Sequence, residues 1–211
     1  MMILKNENIY YLNDILIEDE KLKVVDSSVY NKIPSNHIKL FCLKNGFYQL
    51  PTTELVNWIK DKIDGRKTIE IGAGNGSFAK ALGIIATDSY MQERPEITAW
   101  YKQIGQTPVK YGKHVKKMDY RKAIKKYNPK IVISNWVTQI YKPDSDQGNI
   151  YGVDENWIIN RVETYIHIGN KLVHKKRILS ESHDEYQFPW LVSRASQPEL
   201  NVIYVWKKKI L

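Results

Sequence analysis

The sequence predicts an α/β fold in which a mostly parallel sheet has helices on both faces and ends in an antiparallel hairpin. Short β-branched apolar segments alternate along the chain with segments whose apolar residues recur at helical spacing. A glycine-rich turn joins the first such strand to the helix after it. Near the end of the chain, two β-rich segments flank the turn at Gln197-Pro198.

The elements follow from these signals in chain order. The predicted strands are 66–70, 83–88, 114–119, 130–135 and 171–175, with 190–194 and 200–206 forming the hairpin. The predicted helices are 54–63, 77–82, 93–105, 120–127 and 155–166. The first of these segments is typical of a capped amphipathic helix, because Thr52 or Thr53 can cap it and its apolar residues share one face. Together these elements predict a seven-stranded sheet.

Residues 1–45 show no clear period and predict a small N-terminal extension of short strands or helices. The remaining residues, 46–211, form the predicted main domain. The segment 136–154 contains Pro143, Gly148 and Gly152 and predicts a long surface loop. Structureless loops of this length are usually functional.

Composition favours a cytoplasmic protein. The chain of 211 residues has a single cysteine, Cys42, so it forms no internal disulfide and suits a reducing compartment. No apolar segment approaches the ~20 residues that span a bilayer. The N-terminus also lacks the apolar centre of a signal peptide, so no membrane partner is expected.

Charge leaves two interpretations open. Lys and Arg total 32 against 23 for Asp and Glu, a formal charge of +9. Such an excess attracts nucleic acid, but a lysine-rich solvated surface explains it equally well. The five histidines have no metal-ligand spacing, so no metal site is predicted.

The segment Glu70-Ile71-Gly72-Ala73-Gly74-Asn75-Gly76 carries the chemistry. A dinucleotide site requires a third glycine where this chain has Ser77. Glu70 would also repel a pyrophosphate, whereas it would attract a cationic cofactor that has no phosphate. The glycine turn therefore favours such a cofactor.

This motif resembles the first motif of the Rossmann-like S-adenosylmethionine-dependent methyltransferases, E/D-x-G-x-G-x-G, and the resemblance covers roughly residues 46–206. It implies S-adenosylmethionine as cofactor. It also implies that Glu70, Gly72, Ala73, Gly74, Asn75 and Gly76 lie at the methionine part and that Asp88 binds the ribose hydroxyls. A carboxylate suits that task because it accepts from both hydroxyls at once.

The later motifs match less closely. Met118 and Asp119 correspond to the residues that contact adenine, although Asp119 could instead cap the following helix. Asn135 and Trp136 take the place that borders the methyl group and are the candidate catalytic residues. Family members that methylate exocyclic amino groups of DNA have two prolines there, and this chain has none.

The resemblance also implies a segment that covers the cofactor, and Tyr48, Pro51 and Thr52 are its candidate residues.

The predicted function is S-adenosylmethionine-dependent methyl transfer to an unidentified acceptor, a nucleic acid or a small molecule. Two alternatives stay open: a non-catalytic module that binds S-adenosylmethionine, and an NAD-dependent oxidoreductase. Candidates for a general base are Tyr141, Asp144 and Asp146 in the 136–154 loop.

Overall fold

A computed structural model describes residues 8–19, 21–140, 150–175 and 182–208. Its strands are, in chain order, β1 (Ile17–Glu18), β2 (Lys21–Leu22), β3 (Gln49–Leu50), β4 (Thr68–Ile71), β5 (Ile85–Asp88), β6 (Lys116–Lys117), β7 (Ile131–Asn135), β8 (Thr164–Asn170), β9 (Asp184–Tyr186), β10 (Val192–Ser193) and β11 (Asn201–Lys207). Its α-helices are α1 (Tyr11–Leu16), α2 (Ser27–Asn31), α3 (Ser35–Asn45), α4 (Thr53–Ile63), α5 (Ser77–Leu82), α6 (Pro95–Gln103), α7 (Tyr120–Tyr127) and α8 (Glu155–Ile159).

A seven-stranded sheet organises the molecule, in the order β6-β5-β4-β7-β8-β11-β9. The first five strands of that order are parallel, whereas β11 is antiparallel to both β8 and β9. Parallel strands need crossover connections, which the helices between them supply. This arrangement confirms the predicted fold class, a mostly parallel Rossmann-like sheet with helices packed on it.

Apolar side chains cover both faces of the sheet. On one face, α4 and α5 pack Leu55, Ile59 and Phe78 against the strands. On the other, α7 and α8 contribute Ile124 and Ile158. Each fully buried side chain of this kind stabilises the fold by roughly 1.5–3 kcal/mol. The central strands therefore lie between two layers of helices, as predicted.

The prediction for residues 155–175 was wrong. The helix α8 ends at Ile159, and the fifth parallel strand is β8, Thr164–Asn170, rather than residues 171–175, which form a turn. Every residue of β8 is buried. A strand covered on both faces loses the alternation that identifies strands, so its apolar residues matched a helical spacing by chance.

The terminal hairpin was predicted with the wrong partner. The strand β11 pairs with β9, Asp184–Tyr186, whereas β10 leaves the central sheet and pairs with β3. The backbone N–H of Arg194 donates to the Tyr48 carbonyl oxygen at 3.0 Å and extends this contact. The segment after β9 thus holds the residues that precede α4.

The N-terminal residues form helices and short strands around an apolar cluster that includes Leu12, Leu16, Phe41 and Cys42. Leu50, from the predicted main domain, belongs to the same cluster. A division of the chain at residue 45 stays a prediction. In the described part of the chain, no helix combines the length and apolar character needed to cross a membrane.

Candidate functional site

A cavity opens at the carboxyl ends of β4, β5 and β7. Its volume, including the open mouth, is about 1100 Å³. The strands β4 and β7 are neighbours whose following connections lead to opposite sides of the sheet. Ligands of open α/β sheets bind at such a switch point.

The glycine turn forms the floor of the cavity directly after β4. Gly72, Gly74 and Gly76 have φ angles of 60°, 54° and 73°, a left-handed conformation that glycine adopts without strain. A Cβ atom on Gly72 would lie 2.4 Å from Cγ1 of Val137. The turn therefore requires glycine for its conformation and for its contact with the segment after β7.

Asp88 fixes the glycine turn from the neighbouring strand. Its Oδ2 accepts from the Gly74 N–H at 2.9 Å and its Oδ1 from the Tyr90 N–H at 2.8 Å. Burial raises the pKa of Asp88, and these backbone N–H groups oppose that shift. Each carboxylate oxygen retains a lone pair for a ligand.

Glu70 is the buried acid of the cavity. Its side chain is 1% exposed, and within the described residues Oε2 has no hydrogen-bond partner. Burial raises the pKa of Glu70 to about 8, the charge of Asp88 adds to this rise, and the Ala79 N–H opposes it. A cation bound beside Glu70 would favour the ionised form and lower that pKa again.

The end of β7 forms the opposite wall. The Asn135 side chain donates from Nδ2 to Gln49 Oε1 at 2.8 Å, while its Oδ1 is buried and has no partner among the described residues. Trp136 has a φ of 56°, which is strained for a residue with a side chain. Its buried Nε1 likewise has no described partner. Two consecutive residues thus each have one buried polar atom without a partner in the described part of the chain.

Tyr48 lies beside Trp136 at the cavity, with ring centroids 6.3 Å apart. Its hydroxyl contacts the Tyr101 hydroxyl and accepts from Gln92 Nε2 at 3.2 Å. The Arg194 guanidinium lies 3.6 Å from the centroid of the Tyr48 ring. These contacts fix the ring before any ligand arrives.

The other two candidate covering residues have different places. Pro51 lines the cavity, but Thr52 does not. The Thr52 hydroxyl accepts from the Leu55 N–H and donates to the Trp190 carbonyl oxygen, so this residue caps α4.

Met118 and Asp119 both line the cavity. The Met118 N–H donates to the Asp88 carbonyl oxygen at 2.7 Å, which ties β6 to β5. The Asp119 side chain accepts from the Arg121 N–H at 2.9 Å and caps α7. Asp119 therefore caps α7, which was the structural alternative for this residue.

The remaining predicted residues divide into three groups. Ala73 and Asn75 line the cavity, and the Asn75 side chain accepts from the Ser77 N–H at 2.9 Å. Gly76 lies outside the lining, where an added Cβ would meet His114 Nε2 at 2.5 Å. The candidate bases Tyr141, Asp144 and Asp146 fall outside the described residues.

Sequence reasoning missed a group of polar residues at the cavity: Gln49, Gln92 and Tyr111. Gln92 Oε1 accepts from the Val109 N–H at 2.8 Å, and the Gln92 N–H donates to the Tyr111 hydroxyl at 3.2 Å. The Tyr111 ring stacks on Tyr90 with centroids 3.9 Å apart. The Tyr-Gly pair at 111–112 was a turn signal, but nothing local associates it with the glycine motif.

No protein-family model and no curated protein matches the sequence. The solved structures to which this chain is similar include the following two. One is SMU.776, a proposed methyltransferase in complex with SAH, with a TM-score of 0.36 and 12% identity over 70% of this chain and 48% of that chain. The other is Thermoplasma acidophilum 1320, with a TM-score of 0.32 and 15% identity over 82% of this chain and 96% of that chain.

This chain therefore spans about half the length of the first of these proteins. TM-scores this low carry no weight for function, which has to be argued from the cavity itself.

Proposed function

We propose that the protein is an S-adenosylmethionine-dependent methyltransferase whose cofactor binds in this cavity. One observation carries the proposal: Glu70 is buried at the glycine turn with an oxygen that has no described partner. A buried acid of this kind favours a ligand that brings positive charge.

S-adenosylmethionine meets that requirement. Its sulfonium and its protonated amino group outweigh its single carboxylate, and it has no phosphate, whereas NAD brings a pyrophosphate with two negative charges. Opposite charges attract strongly in a cavity shielded from water, and like charges repel as strongly. The charge of Asp88 would repel a pyrophosphate, and a cation beside Glu70 would favour the ionised form of that acid, so the two acids favour the first ligand over the second.

In this proposal, different residues of the cavity contact different parts of S-adenosylmethionine. Glu70 and the turn from Gly72 to Asn75 would face the methionine part, and the lone pairs of Asp88 would accept from the ribose hydroxyls. Met118 and Asp119 would border the adenine, while Tyr48 and Pro51 would cover the cofactor. Because the surrounding protein would keep water away from these contacts, their hydrogen bonds and charge interactions would be stronger than in water.

Bound S-adenosylmethionine supplies a methyl group that leaves its sulfonium in an in-line displacement. Catalysis then depends mainly on alignment of the acceptor. Asn135 and Trp136 are our candidates for that task, because an oxygen and an N–H group without a partner among the described residues could orient an acceptor by hydrogen bonds. No described residue is assigned as a general base.

Thermal unfolding with SAH and with NAD tests the proposal. A ligand at 100 times its dissociation constant stabilises the folded state by about 2.7 kcal/mol, which raises the Tm of a chain of this size by roughly 5–10 °C. We expect that rise with SAH and none with NAD. Stabilisation by NAD alone would overturn the proposal.

A matched pair of variants links the effect to the cavity. Glu70→Gln removes the buried acid at the turn, and Glu155→Gln changes a buried acid that instead accepts from Tyr165 at 2.6 Å. The first is expected to weaken SAH binding at least about tenfold, or 1.4 kcal/mol. The second should leave SAH affinity unchanged.

A non-catalytic S-adenosylmethionine-binding module is the second candidate. The departure of Asn135-Trp136-Val137 from the family pattern favours it. Transfer of labelled methyl groups distinguishes the two, since a module would bind SAH yet transfer no label to RNA, DNA or small acceptors.

A further inference from the structure

The net charge of the protein is concentrated in one segment beside the cavity. Residues 105–130, the basic segment, hold nine Lys or Arg side chains and a single acid, Asp119, a formal charge of +8 against +9 for the whole chain. A surface that only needs solubility usually mixes charges of both signs. The remainder of the chain is therefore nearly neutral.

Three of these nine basic side chains form ion pairs with acids in the described part of the chain. Lys117, Arg121 and Lys130 form ion pairs with Glu93, Asp154 and Glu163. No ion pair within the described ranges involves the other six, which are all exposed: Lys110, Lys113, Lys116, Lys122, Lys125 and Lys126. Their charge is available to a polyanion.

One lysine of β6 and one of α7 lie over the same aromatic ring. Lys116 Nζ lies 5.4 Å and Lys126 Nζ 5.6 Å from the centroid of Tyr127. Lys122 lies one turn before Lys126, and like charges at this spacing destabilise a helix by roughly 0.2–0.5 kcal/mol. The edge strand and the helix therefore present a single positive surface.

This surface leads to the cavity. Lys117 Nζ lies 5.1 Å from the centroid of the Tyr90 ring, and Tyr90 stacks on Tyr111 of the cavity lining. Met118 and Asp119, which also line the cavity, belong to the same segment. A polyanion on the basic segment would thus reach the opening beside which the methyl group is proposed to lie.

The chemistry of the surface fits nucleic acid better than a lipid membrane. Tyr120, Ala123 and Ile124 of α7 are buried against the sheet, and Tyr127 is partly buried. The helix therefore lacks the exposed apolar face that interfacial helices insert into a bilayer. Phosphate groups spaced along a strand instead match separate, exposed lysines.

We propose that the basic segment binds the phosphate backbone of a nucleic acid and that this nucleic acid is the methyl acceptor. The second half of this statement rests on the proposed function, whereas the binding surface does not. Lysines on an edge strand can also serve only to block aggregation. Binding measurements separate these two roles.

Two triple variants with the same change in charge test the surface. K122Q/K125Q/K126Q removes three lysines from the basic segment, and K32Q/K44Q/K60Q removes three exposed lysines from other helices and their ends. Fluorescence anisotropy with labelled single-stranded and duplex RNA and DNA, at salt from roughly 50 to 200 mM, gives affinities and salt slopes.

We expect the first variant to weaken binding at least about tenfold and to reduce the salt slope by about 2, since each lost phosphate contact contributes about 0.7–0.9. The second variant should bind like the unaltered protein. Equal weakening in both variants would overturn the inference. So would the lack of any binding at the lowest salt, or binding only to phosphatidylserine-containing vesicles.

Stabilisation by SAH, measured on the same proteins, keeps the two proposals distinguishable. If SAH stabilises both variants and nucleic acid does not bind, the surface inference fails alone. If nucleic acid binds as expected and SAH stabilises none of the proteins, the proposed function fails, and with it the claim about the methyl acceptor. Transfer of label from S-adenosylmethionine to bound nucleic acid would support both.

Discussion

The two walls of the cavity are built in different ways. The wall formed by β4 and β5 comes from 19 consecutive residues, Glu70 to Asp88, and its side chains bond mainly to nearby backbone. The wall at the end of β7 depends on distant segments: Asn135 donates to Gln49, and Trp136 packs against Tyr48 and His174. The β4–β5 wall is therefore formed by residues close together in the sequence, whereas the β7 wall requires contacts between residues far apart in the sequence.

The walls also differ in their unsatisfied polar groups. In the β4–β5 wall, Oε2 of Glu70 is the buried polar atom without a hydrogen-bond partner among the described residues. In the β7 wall, two buried atoms have no such partner, Asn135 Oδ1 and Trp136 Nε1. A buried polar group without a partner costs about 1–3 kcal/mol. Within the described residues, the first wall thus has fewer buried polar atoms without a partner than the second.

The largest effect is expected from Asp88→Ala, which breaks the first wall. The change removes the acceptor of two backbone N–H groups, at Gly74 and Tyr90, each worth about 2 kcal/mol to a charged partner. We expect a loss of about 4 kcal/mol in the free energy of unfolding by urea denaturation and at least a hundredfold weaker SAH binding.

The matched control for Asp88 is Asp184→Ala, where an exposed acid pairs with Lys207 at 3.3 Å. It should cost less than about 1 kcal/mol. If Asp88→Ala lowers stability and leaves SAH affinity unchanged, Asp88 supports the turn but does not contact the cofactor.

Glu70 predicts a pH dependence of the first wall. Its pKa is about 8 in the folded protein against 4.5 for an ordinary carboxyl group. Between these values the unfolded chain has lost the proton that the folded protein still holds, so stability falls as pH rises from 4.5 to 8. The full pKa difference corresponds to a loss of about 5 kcal/mol in the free energy of unfolding. Relaxation of the protein around the charge should reduce that loss to about 2–3 kcal/mol.

Urea unfolding from pH 5 to pH 8.5 tests this, with Glu70→Gln expected to lack the same decline. Affinity for S-adenosylmethionine should rise up to tenfold per pH unit toward 8 and then level off, because its sulfonium and ammonium groups favour ionised Glu70. Calorimetry in buffers of different ionisation enthalpy should show proton release on binding. A release that persists in Glu70→Gln would contradict the assignment.

Gly72→Ala tests where the two walls meet. The new Cβ would lie 2.4 Å from Val137 Cγ1 in a left-handed backbone conformation, so we expect a loss of about 2 kcal/mol. Gly83→Ala is the matched control, since Gly83 has a φ of 70° and no atom within 4 Å. It should cost about 1 kcal/mol from the backbone alone.

The space requirement at Gly72 can be tested directly. Combining Gly72→Ala with Val137→Ala should be less destabilising than the sum of the two separate changes, because the clash is relieved. Strict additivity in thermal or urea unfolding would show that the walls do not contact each other there.

The smallest effect is expected from Asn135→Ala on the second wall. The change loses one hydrogen bond, to Gln49, and also removes the unpaired Oδ1, so the free energy of unfolding should fall by less than about 1 kcal/mol. SAH affinity should change less than about threefold, and methyl transfer to nucleic acid should fall at least about tenfold. Unchanged transfer would remove Asn135 from the reaction.

Much of the fold was predictable because its signals are local. The glycine turn, the cap at Thr52 and the proline at the start of α6 each specify a backbone conformation within a few residues. The strand β8 was missed because burial on both faces removes the periodicity that reveals strands. Its neighbour β11 was found, but its partner β9 depends on sheet topology rather than on local sequence.

Local sequence accounts for the wall from Glu70 to Asp88, because a glycine turn and an acid at each strand end are local features. Three features depend instead on the folded chain: the burial of Glu70 with its raised pKa, the position of Thr52 outside the cavity lining, and the hydrogen bond from Asn135 to Gln49. The position of the basic segment beside the opening also depends on the fold. These contacts join residues far apart in the chain, and they form only once burial of the apolar faces has packed the helices on the sheet.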